Sequence, residues 1–142
     1  MAVNVGQRNV PDTLKNRSLN AITATMNLAL HTIKICKNKK IFTIQYQEAL
    51  TDDIIKCAKD IYVSAWNAEQ LPVDDNIELL DDRLSLQQTS FLKIREMLAL
   101  INLARRLFHL RGRKAEYWIN LTMDSQNAIY LWHEATVEHY RM

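Results

Sequence analysis

From residue 12 to residue 140, apolar side chains recur mostly at intervals of three or four, the period that lines one face of a helix packed in a bundle. Leu19, Ile22, Met26, Ala29, Ile33 and Cys36 form a first stripe, and Leu50, Ile54, Cys57, Ile61, Ala65 and Ala68 a second. A third runs through Leu84, Gln87, Phe91, Ile94, Leu98, Ile101, Arg105 and Phe108, and a fourth puts Trp118, Leu121, Ala128, Leu131, Trp132 and Ala135 on one side. The pattern predicts helices over 12–38, 43–70, 76–111 and 113–140, in one domain spanning 12–142 behind an N-terminal tail of residues 1–11. Asp12, Thr43 and either Asp75 or Asn76 suit helix N-termini. Pro72 breaks the chain and disfavours helix at Leu71, and Gly112 suits the left-handed position that ends a helix. Short connections make neighbouring helices antiparallel. The expected fold is therefore all-α, an antiparallel up-down-up-down four-helix bundle.

Composition narrows the alternatives. Only two glycines and two prolines occur in 142 residues, and Pro72 and Gly112 alone punctuate the chain beyond residue 11. Sheets need more turn residues than that. Cys36 and Cys57 are too few for a disulfide framework or a thiolate zinc site, and each falls among apolar residues as a small core side chain. No apolar run approaches the ~20 residues of a membrane span. The first residues lack the charged and apolar regions of a signal peptide, so the cytoplasm is the expected location. Trp66, Trp118 and Trp132 are expected in the core or in a subunit interface. Gln87 and Arg105 interrupt the third stripe. They either mark its boundary or face a subunit neighbour or a polar channel.

The net charge of +2 hides strong segregation. Residues 1–40 carry seven basic side chains against one acid, and residues 41–82 carry ten acids against two lysines. Residues 83–114 carry eight basic groups against one acid, and residues 115–142 four acids against one arginine. Alternating sign serves solubility and pairing between neighbouring helices. Density argues for more. Arg105, Arg106, Arg111, Arg113 and Lys114 fall within ten residues, and Lys37, Lys39 and Lys40 cluster at the first interhelical turn. In an up-down-up-down bundle these two clusters share a pole, where they would form a basic cap suited to a phosphate backbone. Arginine adds bidentate and stacking contacts with RNA.

Signatures of catalysis are missing from the pattern. His31, His109, His133 and His139 offer no pair at zinc-hydrolase spacing, and no Glu-x-x-His pair suggests a di-iron bundle. There is no phosphate-cradling glycine loop and no nucleophile elbow. The pairs Asp52-Asp53, Asp74-Asp75 and Asp81-Asp82 fall at exposed or capping positions, and His133 beside Glu134 reads as a surface pair. The expectation is a non-enzymatic protein without metal or cofactor.

The run Asp82-Arg83-Leu84-Ser85-Leu86-Gln87-Gln88, followed by Leu98-Ala99-Leu100-Ile101-Asn102-Leu103-Ala104, resembles the accessory variability determinant (Avd) proteins of diversity-generating retroelements. Those four-helix bundles are relatives of the ribosomal-RNA intervening-sequence proteins. Glu116-Tyr117-Trp118 and Leu131-Trp132-His133 resemble the family's closing pattern, and Lys39-Lys40-Ile41-Phe42-Thr43 its basic entry to the second helix. The resemblance covers roughly residues 14 to 140. It implies a homopentameric ring that binds the element's reverse transcriptase and template RNA and supports mutagenic cDNA synthesis. Arg83 and Gln87 carry over by motif as binding residues. The alternative is an interaction module of the intervening-sequence type with no polymerase partner. This chain departs from the family in being only mildly basic and in its acidic residues 41–82.

Overall fold

A computed structural model describes residues 12–42 and 47–141. Over these residues the chain is helical, with α1 (Asp12–Cys36), α2 (Asp52–Gln70), α3 (Leu80–Leu107) and α4 (Arg113–Arg141). A π-turn at Gln47–Thr51 leads into α2, and a 3-10 turn at Ile77–Leu79 leads into α3. Each helix packs against its neighbours in the cycle α1–α2–α3–α4, and α4 closes the ring against α1. Side-chain hydrogen bonds fix the directions. The Trp118 indole N–H donates to Thr32 Oγ1 at 3.0 Å, joining the start of α4 to the end of α1. The Arg83 guanidinium at the start of α3 donates to the Ala68 carbonyl at the end of α2 at 2.9 Å, and Ser18 Oγ near the start of α1 donates to Glu69 at the end of α2. Gln87 Nε2 on α3 donates to Thr136 Oγ1 near the end of α4 at 3.0 Å. Neighbours are thus antiparallel, as expected.

The helix period is as read, but its phase differs in three helices of four. On α2 the buried seam is the predicted one, with Ile54, Cys57, Ile61, Ala65 and Ala68 inward. On α1 the seam is Leu14, Ser18, Ala21, Thr25, Leu28, Thr32 and Ile35, while Leu19 is 62% and Met26 38% exposed. On α3 it is Gln87, Ser90, Ile94, Met97, Ile101 and Ala104, with Leu84, Phe91 and Leu98 half-buried and Arg105 exposed. On α4 it is Ala115, Trp118, Thr122, Ser125, Ile129, Trp132 and Thr136. Leu121, Ala128, Leu131 and Ala135 flank it, half-buried. Hydroxyls occupy core positions that an apolar count passes over. The burial of Thr25, Thr122 and Thr136 is tolerated because each donates within its own helix, whereas Ser90 donates across to the Ile61 carbonyl of α2 at 2.8 Å. Thr25, Thr122 and Thr136 donate to the carbonyls of Ala21, Trp118 and Trp132, each at 2.8 Å. Trp118 and Trp132 are core residues, whereas Trp66 is 45% exposed.

The boundaries have local causes. Asp12 places an acid in the first turn of α1, where the helix dipole favours it. Asn76 caps the entry to α3, its side chain accepting from the Glu78 amide at 3.1 Å. Leu71, ahead of Pro72, is extended at ψ 126°, so α2 stops at Gln70. Thr43, expected to cap the second helix, lies outside the described residues, as does the 1–11 tail. Gly112 does not end the third helix as expected. That helix closes at Leu107 through His109 in the left-handed region (φ 54°), with the Leu110 amide reaching back to the Arg105 carbonyl at 3.1 Å. Gly112 (φ 67°) instead opens α4, its carbonyl accepting from the Glu116 amide at 3.0 Å.

Candidate nucleic-acid interface

The end of α1 and the end of α3 stand at the same pole, and an aromatic cluster joins their turns. In the first turn, Asn38 organises the chain: its side chain accepts from the Lys40 amide at 3.0 Å, and its carbonyl from the Ile41 and Phe42 amides at 3.1 and 2.9 Å. Phe42 is thereby driven inward to full burial. Its ring meets Phe108 edge-on at 4.5 Å and Trp118 at 6.2 Å. The two loops carrying the basic clusters are tied by an apolar contact worth ~1 kcal/mol per aromatic pair beyond area burial.

Around that cluster Lys37, Lys39, Lys40, Arg105, Arg106, Arg111, Arg113 and Lys114 are all exposed. Among the described residues none of them is in an ion pair; the pairs found are Lys56–Asp60, Lys93–Glu96 and Arg141–Asp81. Asn102, Arg105, Arg106, His109, Leu110 and Arg111 line a cleft of about 480 Å³ beside the end of α3. Left-handed His109 turns the chain so that arginines on both sides of it border one concavity. Such a surface attracts polyanions.

The two residues carried over by family motif stand elsewhere. Arg83 lies 22 positions before Arg105 on the same helix, about 33 Å along its axis. Its guanidinium serves the fold, donating to the carbonyls of Ala68 (2.9 Å), Glu69 (3.4 Å) and Leu71 (2.6 Å), and so caps the C-terminus of α2. Gln87 is fully buried in the single chain. It is a core amide and neither a boundary residue nor the lining of a channel. Neither residue joins the basic pole.

Gln87 anchors a network that sequence reading missed. The Thr136 hydroxyl donates to the Trp132 carbonyl, so its oxygen can only accept from Gln87. Gln87 Oε1 therefore faces His133 Nδ1, 3.0 Å away, and that nitrogen must carry a proton. His133 is half-buried with its pKa pushed below the usual histidine value by desolvation. It does not pair with Glu134, which accepts from the Tyr130 hydroxyl at 2.9 Å. Beside this network Gln87, Gln88, Phe91, Ile129, Tyr130 and His133 line a groove of about 230 Å³ between α3 and α4. Only the long-range pairing of the two helices creates it, so no short motif could have announced it.

Elsewhere chemistry is muted. Burial pushes both Cys36 and Cys57 up to about 12, far from the thiolate a nucleophile needs. The acids of Asp52-Asp53 and Asp81-Asp82 are exposed, while half-buried Asp74 accepts from the Tyr140 hydroxyl at 2.7 Å. Among the described residues no cluster of histidine, cysteine or carboxylate side chains could hold a metal ion, and no helix is long and apolar enough to cross a membrane. Comparison with known protein families, with curated proteins and with solved structures found no match.

Proposed function

We propose that this chain is a non-catalytic accessory subunit of a diversity-generating retroelement, binding the reverse transcriptase and template RNA during mutagenic cDNA synthesis. The observation that carries the reading is the basic pole: eight exposed cations without acidic partners among the described residues, set on two turns that Phe42 and Phe108 hold together. The family resemblance of the third and fourth helices supplies the identity of the partners. The acidic second helix lowers the overall potential, so the isolated protein binds RNA weakly and tight binding needs the polymerase. In this reading the subunits form a homopentameric ring in the cytoplasm. Apolar side chains left exposed on α1 (Leu19, Met26, Leu30) and α2 (Val63, Trp66) support self-association.

The test is charge reversal at Arg105, Arg106, Arg111 and Arg113 together. Pull-down of reverse transcriptase and RNA should be lost while the helical circular dichroism is kept, since exposed substitutions usually alter stability by only about 0.5 kcal/mol each. Undiminished pull-down by a folded quadruple variant refutes the site. Light scattering should give a mass several times 16.6 kDa, and a monomer removes the ring.

A further inference from the structure

The α3–α4 groove plays no part in holding the basic pole, yet it opens onto the same face of α3. Gln88, Phe91, Arg95, Leu98, Asn102 and Arg105 follow one another at alternating steps of three and four, so they form a single track along that helix, and His109 stands just beyond its end. Gln88 and Phe91 line the groove; Asn102, Arg105 and His109 line the cleft at the pole. Arg95, midway between, is exposed, and the neighbouring Glu96 is engaged by Lys93 at 3.1 Å. Gln88 and Arg105 are 17 positions apart, about 25 Å along the helix.

We propose, building on the RNA-binding reading above, that the α3–α4 groove is a base-stacking site for single-stranded RNA and that the α3 track leads its phosphate backbone to the basic pole. Phe91 and Tyr130 present aromatic rings from two helices to one space of about 230 Å³, the arrangement on which unpaired bases stack. Gln88, exposed at the rim, supplies an amide that both donates and accepts. His133 has its Nδ1 proton committed to Gln87, so its other ring nitrogen is an acceptor while the ring is neutral. Burial favours that neutral form. A duplex keeps its bases stacked within itself and cannot enter a recess of this size. A peptide could fill the groove but has no use for a cationic track beyond it.

The experiment compares three RNAs of equal phosphate number with the full-length chain at micromolar concentration and low salt: a single strand, the same strand with abasic riboses, and a duplex. The single strand should bind about ten-fold tighter than the abasic strand, the scale of one stacked base. Tyr130→Ala, at an exposed position, and Phe91→Leu, which keeps an apolar filler, should each abolish that preference with circular dichroism unchanged. Arg95→Gln should reduce the slope of log affinity against log salt by about 0.7, one phosphate on a single strand. Equal binding of intact and abasic strands overturns the groove assignment. So does a preference that survives in both aromatic variants, or loss of polymerase binding alone in those variants. If the groove variants are silent while reversal of the four pole arginines abolishes RNA binding, the groove fails and the function proposed above stands. Absence of RNA binding to any form overturns both.

Discussion

Three buried threonines, Thr25 and Thr32 on α1 and Thr122 on α4, carry unequal burdens, and replacing each with isosteric valine separates them. Thr25 and Thr122 donate only to carbonyls of their own helix, which keep their regular helical amides. Deleting either hydroxyl orphans no group, so the cost should stay within about 0.5 kcal/mol. Thr32 differs because its oxygen is the acceptor for the fully buried Trp118 indole N–H, 3.0 Å away. Thr32→Val leaves that donor without a partner and should cost about 1–3 kcal/mol. At about 4 °C per kcal/mol for a domain of this size, melting should fall by about 4–12 °C for Thr32→Val and by about 2 °C or less for Thr25→Val. Urea titration followed by tryptophan fluorescence gives the same comparison if the slopes agree among variants. The control is Trp118→Phe, which removes the donor. In that background Thr32→Val should cost no more than Thr25→Val. Equal midpoints for Thr25→Val and Thr32→Val in the native background would refute the account of the hydroxyl-bearing seam.

Further outcomes follow from the same geometry. Arg83→Met uncaps three carbonyls at the end of α2 and should destabilise the fold by about 2–3 kcal/mol, while a folded sample retains RNA binding; loss of binding at full stability would return Arg83 to the recognition surface. His31 and His133 both have pKa values held below 6.5 chiefly by burial, so folding favours their neutral forms. Stability should be fully present above pH 6.5 and fall as the pH drops below it, and His133→Gln should flatten that decline in a urea-midpoint series. Cys36 and Cys57, pushed up to about 12, should resist a thiol-specific reagent at pH 8 until the protein is denatured; fast labelling of the native chain would contradict their burial.

The helices were legible because their period depends on backbone geometry, and the seam of α2 was legible because it is made of isoleucine, cysteine and alanine, although that helix begins at Asp52 and not at 43. The phase of α1 was not, because Ser18, Thr25 and Thr32 hold seam positions while leucine and methionine stand one residue on, at the surface. A seven-residue repeat of hydroxyls interleaved with Ala21, Leu28 and Ile35 was the available signal. The basic pole could be read because charge is countable and short loops dictate which helix ends meet. Arg83 and Gln87 could not be placed by motif, since the same residue type serves a helix terminus or a buried network as readily as a ligand. The groove near His133 depends on Gln87 meeting Thr136, a partner 49 positions away.

Clustering of eight cations at one end also has a consequence for folding itself. Charges of like sign within a Debye length, ~10 Å at 0.1 M salt, raise the electrostatic self-energy of the native state relative to an expanded chain. The Phe42, Phe108 and Trp118 rings that pin the two turns together hold that repulsion in place. The native chain is thus a loaded state at low ionic strength, and added salt relaxes it from the basic end. A polyanion bound there cancels the same repulsion, so it acts as a folding ligand: part of its measured affinity is tension released within the protein.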